Sequence, residues 1–410
     1  MNCRHCNTQL NTVFADLVNC PPSNSMLKKT QLNQPETFFP LKVLVCEKCF
    51  LVQVDEVEKT ENLFTDEYTY FSSFSKGWLA HCKAYSEKMI DRLELSENQQ
   101  VVEIASNDGY LLQYFLDKGI SVLGIEPTAN TAKVAIEKGI DSLVEFFGEN
   151  LAFDLQNKSI QADLLIGNNV LAHVPDINDF VKGLKLLLKP EGTITMEFPH
   201  LLNLIKCNQF DTIYHEHFSY LSLNTVNLIF KSVGLEIYDV DEIPTHGGSL
   251  RIYAKHIENS NLLLTPNVSN VLKKEIDFGL LNISTYKNFQ KCINSIKNDF
   301  LEFLIQQKKS GKKVIGYGAA AKGNTLMNYA GIRGNDLIEF VVDASPHKQN
   351  KYLPGIHIPV VHESEIQAFK PDYIIIFPWN IKAEIQEQLA YIKNWGGQFV
   401  TFVPEIEVFT

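Results

Sequence analysis

Tyr214, His215, Glu216 and His217 set a phenol, two imidazoles and a carboxylate in four consecutive positions, flanked by the apolar Phe210, Ile213 and Phe218. These side-chain types are the usual proton donors and acceptors of enzymes. A solvated loop rarely carries four of them beside three large apolar residues. The stretch reads as a proton-transfer centre, against the plainer alternative of a polar corner with a surface ion pair.

A second chemical stretch is Glu103-Ile104-Ala105-Ser106-Asn107-Asp108-Gly109. Residues 100–105 are predicted as a buried strand, residues 110–115 as the opening of a helix, and residues 121–125 as a second strand ending in Glu126. Strand, small-residue turn, helix and acid-tipped strand make a mononucleotide-binding unit, whose acid accepts hydrogen bonds from ribose hydroxyls. A dinucleotide fingerprint would read GxGxxG, letting pyrophosphate approach the backbone. Here one glycine stands with two acids. Glu103 and Asp108 would repel a pyrophosphate but not a sulfonium or an ammonium. The turn therefore favours S-adenosylmethionine (SAM) over NAD, with Glu103, Ala105, Asn107, Asp108, Gly109 and Glu126 around it.

Residues 162–169 form a further predicted strand with Asn168 and Asn169 at its polar tip. Ligands of open α/β sheets lie at such tips, so both asparagines belong beside the methyl donor. His173 follows, either as a ligand contact or as a satisfied structural donor. Residues 193–200 deliver Glu197 and His200 to the same edge. The stretch from Tyr214 to His217 then falls over this crevice. His246 and Arg251 either face the substrate or simply help close the sheet.

A second strand–turn–helix unit begins at residues 313–324, with Gly316 and Gly318 in the turn and Lys322 and Asn324 after it. A glycine turn opening a helix is a ready anion site, and Lys322 adds a charge suited to phosphate. Asp343 tips the next strand, and Lys348 lies in a loop at the same edge. This pattern also suits NAD, which keeps an NAD-dependent oxidoreductase as the alternative. Between the units, residues 272–309 are helical by pattern. Phe289, Cys292, Ile293, Ile296, Phe300, Phe303 and Leu304 recur at intervals of three and four, which is core packing.

Two CxxC pairs, Cys3/Cys6 and Cys46/Cys49, match a four-thiolate structural zinc site, with Cys20 left as a spare. Such a site has no open position for catalysis; it folds a small unit that lacks a core of its own. Residues 64–75 are aromatic and hydroxyl-rich, either a packed linker or a lid that brings Tyr68 or Tyr70 to a ligand.

The 410 residues exceed what one core organises, with 45% hydrophobic and 21% charged residues, ordinary for a globular chain. A net charge of −11 argues against a nucleic-acid binder. No apolar run approaches a membrane span, and the N-terminus lacks a signal-peptide core. A cytoplasmic protein with reduced thiols is expected, and a monomer, because no heptad or exposed apolar stripe stands out.

Three stretches taken in order, residues 103–112, 214–217 and 316–323, resemble the nucleotide-sugar C-methyltransferases, and the paired CxxC motifs resemble that family's zinc-binding domain. The resemblance implies an α/β architecture in three parts: a small zinc-binding domain with an aromatic linker (1–72), a Rossmann-like SAM methyltransferase domain (73–262), and a helical linker with a second Rossmann-like domain (263–410). It implies a nucleoside-diphosphate 4-keto-6-deoxysugar as substrate, methylated at C3 through an enolate. His217 would be the general base, Tyr214 and Glu216 would orient it and the sugar, and His173 and Tyr68 would be active-site residues. The second Rossmann-like domain would hold the nucleotide through Gly316, Gly318, Lys322, Asn324, Asp343 and Lys348, with Tyr70 and His215 also at the substrate. Which of Tyr214, His215 and Tyr68 stabilises the enolate stays open.

Overall fold

The computed structural model describes residues 1–57 and 71–410; Tyr68 and Tyr70 lie outside the described residues. Behind the cysteine knuckles, Thr12–Cys20 (β1), Phe39–Val45 (β2) and Val52–Val54 (β3) pair antiparallel. Their inward residues, among them Phe14, Val43, Val45 and Val54, are buried.

The central sheet begins with Gln100–Ile104 (β4), Ser121–Ile125 (β5), Ser142–Leu143 (β6), Ala162–Asn168 (β7) and Leu188–Pro199 (β8). Val101, Val102, Leu164, Leu165 and Ile166 are fully buried, the continuous apolar run of strands covered on both faces. Ser219–Tyr220 (β9) leaves this sheet, and Leu235–Ile243 (β10) and Ser249–His256 (β11) complete it. The strand order is β10-β11-β8-β7-β4-β5-β6, with β11 antiparallel to both neighbours. The chain leaves β4 on one side and returns through β7 on the other. That switch opens a crevice at the carboxyl ends of β4 and β7, where ligands of such sheets bind.

The third sheet contains Val314–Tyr317 (β12), Val341–Val342 (β13), Val360–Val361 (β14), Tyr373–Ile376 (β15), Gln398–Thr401 (β16) and Glu407–Phe409 (β17). Its order β14-β13-β12-β15-β16-β17 places a second switch point between β12 and β15. The expected zinc unit and two Rossmann-like units are all present. The linker pattern resolves into helices Pro266–Phe278, Ile283–Lys287 and Phe289–Lys309. The last buries Phe289, Ile293, Ile296, Phe300, Phe303 and Leu304, whereas Cys292 is exposed, one position off the packed stripe.

β9 is the element that matters most for function. It starts two residues after His217 and pairs with β3 of the zinc unit, Val52 opposite Tyr220 and Gln53 opposite Ser219. Phe210, Ile213, Phe218 and Tyr220 share one apolar core with Phe14, Val54, Phe300 and Leu326. The loop that carries the proton-transfer residues is thus clamped between the first and third units.

Candidate active site

The His217 amide donates to the Tyr214 carbonyl at 3.0 Å, closing a turn with His215 and Glu216 at its corners. Tyr214 and His217 therefore share one side, and the corner side chains take the other. His217 Nδ1 lies 2.8 Å from the Thr212 carbonyl, which can only accept, so Nδ1 carries the proton. Nε2 is left as the acceptor for the Tyr214 hydroxyl, also at 2.8 Å. Burial, helped by His173, holds the His217 imidazolium well below its usual range, so the ring is a neutral base.

His173 stands edge-on to His217, with ring centres 4.6 Å apart, and its ring hydrogen-bonds the Glu216 carbonyl. Burial lowers its pKa to about 4. His246 is lowered to about 4 by burial and then by Lys322, and its Nε2 accepts Asn169 Nδ2 at 3.1 Å. Three neutral imidazoles thus face one space.

The corner residues depart from expectation. The Glu216 carboxylate does not orient His217; Asn24 Nδ2 donates to its two oxygens at 2.7 and 2.9 Å, in the insert between the cysteine pairs. Burial raises its pKa to about 7. His215 donates to the Pro40 carbonyl at 3.1 Å, also away from His217. His200 turns to Glu275 at 2.7 Å in the linker helix, not to the crevice edge. Arg251 meets Glu197 at 2.8 Å, with His81 at 3.0 Å from the same oxygen. Burial pushes Glu197 up, but these partners outweigh it and hold the carboxyl at about 2.

The β4–β7 crevice fits the methyl donor. Glu103 is fully buried, and neither oxygen has a hydrogen bond of ordinary geometry among the described residues. Burial raises its pKa well above 4.5, Glu126 and Asp108 add to the rise, and Tyr110 opposes it. A buried acid in that state wants a cation such as an amino-acid ammonium. Asn168 offers an unpartnered amide among the described residues. Glu126 accepts the Asn107 amide at 2.8 Å and the Thr128 amide at 2.9 Å, shaping the turn around Ala105 and Asn107, both at positive φ. Gly109, at φ 73°, lets the following helix close on Ala135 and Ile140. Residues 71–75 cover this turn: Asn107 Oδ1 accepts the Ser72 amide at 3.0 Å and Asp108 Oδ2 the Ser73 amide at 3.2 Å.

The four thiols of Cys3, Cys6, Cys46 and Cys49 lie within 4.8 Å of one another, with Cys3–Cys49 and Cys6–Cys46 both at 3.5 Å. This donor set fits a zinc ion. Cys20 is buried apart from them.

In the third unit the glycines serve packing. A Cβ on Gly316 would meet the Phe377 ring at 2.6 Å, and one on Gly318, at φ 89°, would meet Pro378 at 2.5 Å. Gly316 therefore lies inside the sheet, packed on Phe377. Asp343 accepts the Ala319 amide at 2.8 Å, the device Glu126 uses in the first turn. Lys348 donates to the Ala319 carbonyl at 2.9 Å. Asn324 is buried with its amide unpartnered among the described residues. Lys322 lies on the helix that meets the Ile213 carbonyl, and its charge is felt by both His217 and His246. Asn24 on Glu216, Gln209 on the Gly247 carbonyl and Trp379 on Asp211 join the site without having been singled out; an isolated polar or aromatic residue carries no spacing signal.

Fold and crevice together are those of a SAM-dependent methyltransferase with a zinc-binding unit. Family models match in register: a zinc binding domain over residues 3–64, a methyltransferase domain over 79–240, and a C-methyltransferase C-terminal domain over 244–404. The chain belongs to the C-methyltransferases. It is 34% identical to C-methyltransferase NovU of Streptomyces niveus over 374 residues, covering 91% of this chain and 88% of NovU. Sterol 4-C-methyltransferase strm-1 of Caenorhabditis elegans is 25% identical over 134 residues, 32% of this chain and 39% of that protein. A solved SAM-dependent methyltransferase from Anabaena variabilis is 14% identical, covering 42% of this chain and 84% of its own, with a TM-score of 0.36.

Proposed function

We propose that the enzyme methylates C3 of a nucleoside-diphosphate 4-keto-6-deoxysugar, with His217 as the base that removes the C3 proton. The observation that carries this is the neutral His217, its Nδ1 tied to Thr212 and its Nε2 facing the Tyr214 hydroxyl. A carbon centre is no nucleophile until deprotonated, so a C-methyltransferase needs such a base unless its substrate is already electron-rich. The resemblance to nucleotide-sugar enzymes supplies the substrate class.

SAM, when bound, supplies an electrophilic methyl group. Glu103, Asn107, Asp108, Gly109, Glu126, Asn168 and Asn169 hold it. At the sugar, Tyr214 yields the Nε2 lone pair to the C3–H and keeps the imidazole aligned. An imidazolium of pKa roughly 6.5 is far more acidic than a ketone α-carbon, so the base acts only if the enolate oxygen is stabilised as it forms. A cleft of about 370 Å³ beside the glycine turn, lined by Asp343, Gln349, His362, Glu363 and Tyr391, suits the nucleoside. Its acids suit hydroxyl groups better than phosphate.

The test is incubation with a dTDP-4-keto-6-deoxyglucose-type sugar and SAM in deuterated water, followed by mass and proton NMR at C3. Methylated product is the expected result. Deuterium at C3 without methylation would keep the base and reject the sugar or donor pairing. Neither change, with S-adenosylhomocysteine (SAH) still binding, would reject this substrate.

A further inference from the structure

We propose that Lys322, a residue of the C-terminal unit, is the cation that receives the enolate oxygen in the active site of the methyltransferase unit. The inference rests on the proposed enolate chemistry and goes beyond it by naming the electrophile.

Lys322 lies on helix Ala321–Tyr329, whose Thr325 hydroxyl donates to the Ile213 carbonyl at 2.9 Å. That contact seats the helix against the turn that bears Tyr214 and His217. The ammonium lies 4.1 Å over the Trp379 ring and donates to Asn380 Oδ1 at 2.6 Å. The Trp379 indole N–H in turn donates to Asp211 Oδ2 at 2.7 Å. The ring edge packs on the turn of His246: a Cβ on Gly247 would meet it at 2.4 Å. No carboxylate comes within 4 Å of Lys322 Nζ among the described residues. Lys322 is half-buried as a residue. Asn380 takes one of its three N–H bonds, and its charge is felt at both His217 and His246.

A buried ammonium with no carboxylate in contact, Asp211 acting on it only from beyond 4 Å, is costly unless an anion arrives. The chemistry supplies one at the right moment. As the C3–H bond breaks, its proton goes to His217 Nε2 and its electron pair enters the C3–C4 bond. The C4 carbonyl π pair moves onto oxygen, which becomes the anion. His217 is then cationic while Lys322 is cationic too, and a negative atom between them offsets that repulsion. Lys322 donates a hydrogen bond to the oxygen and transfers no proton. When C3 takes the methyl group, the C4 carbonyl re-forms and the charge on oxygen is gone. A phosphate would use the same ammonium differently: it is anionic in every step and would add to binding, not to proton abstraction.

The experiment measures C3 hydrogen–deuterium exchange on dTDP-4-keto-6-deoxyglucose by full-length enzyme in deuterated water, with SAH bound in place of SAM. Lys322→Met is expected to slow exchange at saturating sugar by about 10²–10³-fold, the usual loss for one oxyanion donor. Sugar and SAH affinities should stay within about threefold. Asn380→Asp provides a variant of unchanged size, in which a carboxylate beside the ammonium quenches it. Its exchange should fall at least about tenfold, on the same reasoning. Exchange within tenfold of wild type in both variants overturns the assignment. So does weakened sugar binding with exchange restored at saturation, which would make Lys322 a phosphate ligand. Absence of exchange in the wild type would instead remove the enolate reading itself, and this inference with it.

Discussion

The guanidinium of Arg4 lies 5.4 Å from the centre of the Phe218 ring. Arg4 sits inside the first cysteine knuckle, and Phe218 directly follows His217. The same guanidinium donates to the Val54 carbonyl at 2.5 Å and to the Pro175 carbonyl, just past His173, at 3.0 Å. His5 reaches Asn178 at 2.8 Å from the same knuckle. The zinc unit therefore grips both imidazole-bearing segments without touching the reacting space. Arg4→Ala leaves two carbonyls without a donor, at about 1–3 kcal/mol each where buried. Turnover should fall about tenfold or more, since small misplacements of reacting groups cost that much. SAH affinity, measured by calorimetry, should be unchanged because Arg4 bonds none of the residues assigned to the methyl donor.

Zinc removal should act through the same connection. Four thiolates within one cluster repel one another without the ion, and small metal units fold on binding it. A chelator that strips the metal, followed by elemental analysis, should abolish methyl transfer and lower the melting temperature. SAH binding should persist, weakened at most several-fold. Full activity in metal-free protein would show that the knuckle is held by packing alone.

Glu103→Gln should trade binding for stability. Burial raises the folded-state pKa above the ordinary 4.5, so the folded, ligand-free protein holds a proton that the unfolded chain has lost. That stability is full below 4.5 and declines as pH rises toward the raised value. Glutamine removes the penalty, and the ligand-free melting temperature at neutral pH should rise. SAH affinity should fall about 10–100-fold, the loss of a charge-assisted hydrogen bond. Unchanged affinity would take Glu103 out of the donor site.

Tyr214→Phe separates two roles for the phenol. The Nδ1–Thr212 bond keeps the His217 tautomer without Tyr214, so C3 exchange should stay within about tenfold of wild type. A loss of about 10³-fold or more would mean that the proton leaves through the Tyr214 oxygen.

Much of this was legible before the fold. The acid-rich turn of residues 103–109 had the right spacing because a strand-to-helix turn is a local structure, and both CxxC pairs are local as well. The stretch from Tyr214 to His217 was identified but not its handedness. A four-residue turn places positions one and four on one side, so Glu216 and His215 serve the zinc-side insert instead. Contacts between distant segments leave no local periodicity. Asn24 meeting Glu216, and Trp379 meeting both Gly247 and Asp211, follow from how the units dock. The glycines of residues 316–318 read as a phosphate loop in sequence, and in the fold their Cβ sides are filled by Phe377 and Pro378.

The pH dependence of turnover tests the cluster as a whole. Burial, with His173 adding to it, keeps His217 neutral well below its usual range, so the base should not limit the rate in mild acid. Lys322 is brought down to about 8 by burial, although Asp211 opposes the shift. Its cationic form predominates below that value and its neutral form above it. The other titrating groups that face it are His246, lowered to about 4, and Asp211, raised to about 6 by burial. Between the Asp211 and Lys322 values His217 and His246 are neutral, and Asp211 is mostly anionic and Lys322 mostly cationic. The rate at saturating sugar and SAM should be highest between the two values and fall on the alkaline side with a midpoint near 8. In Lys322→Arg the alkaline fall should move beyond the measurable range even if the plateau is lower, because a guanidinium stays charged there. An alkaline fall at the same midpoint in that variant would assign it to another group and leave Lys322 outside the proton-transfer step.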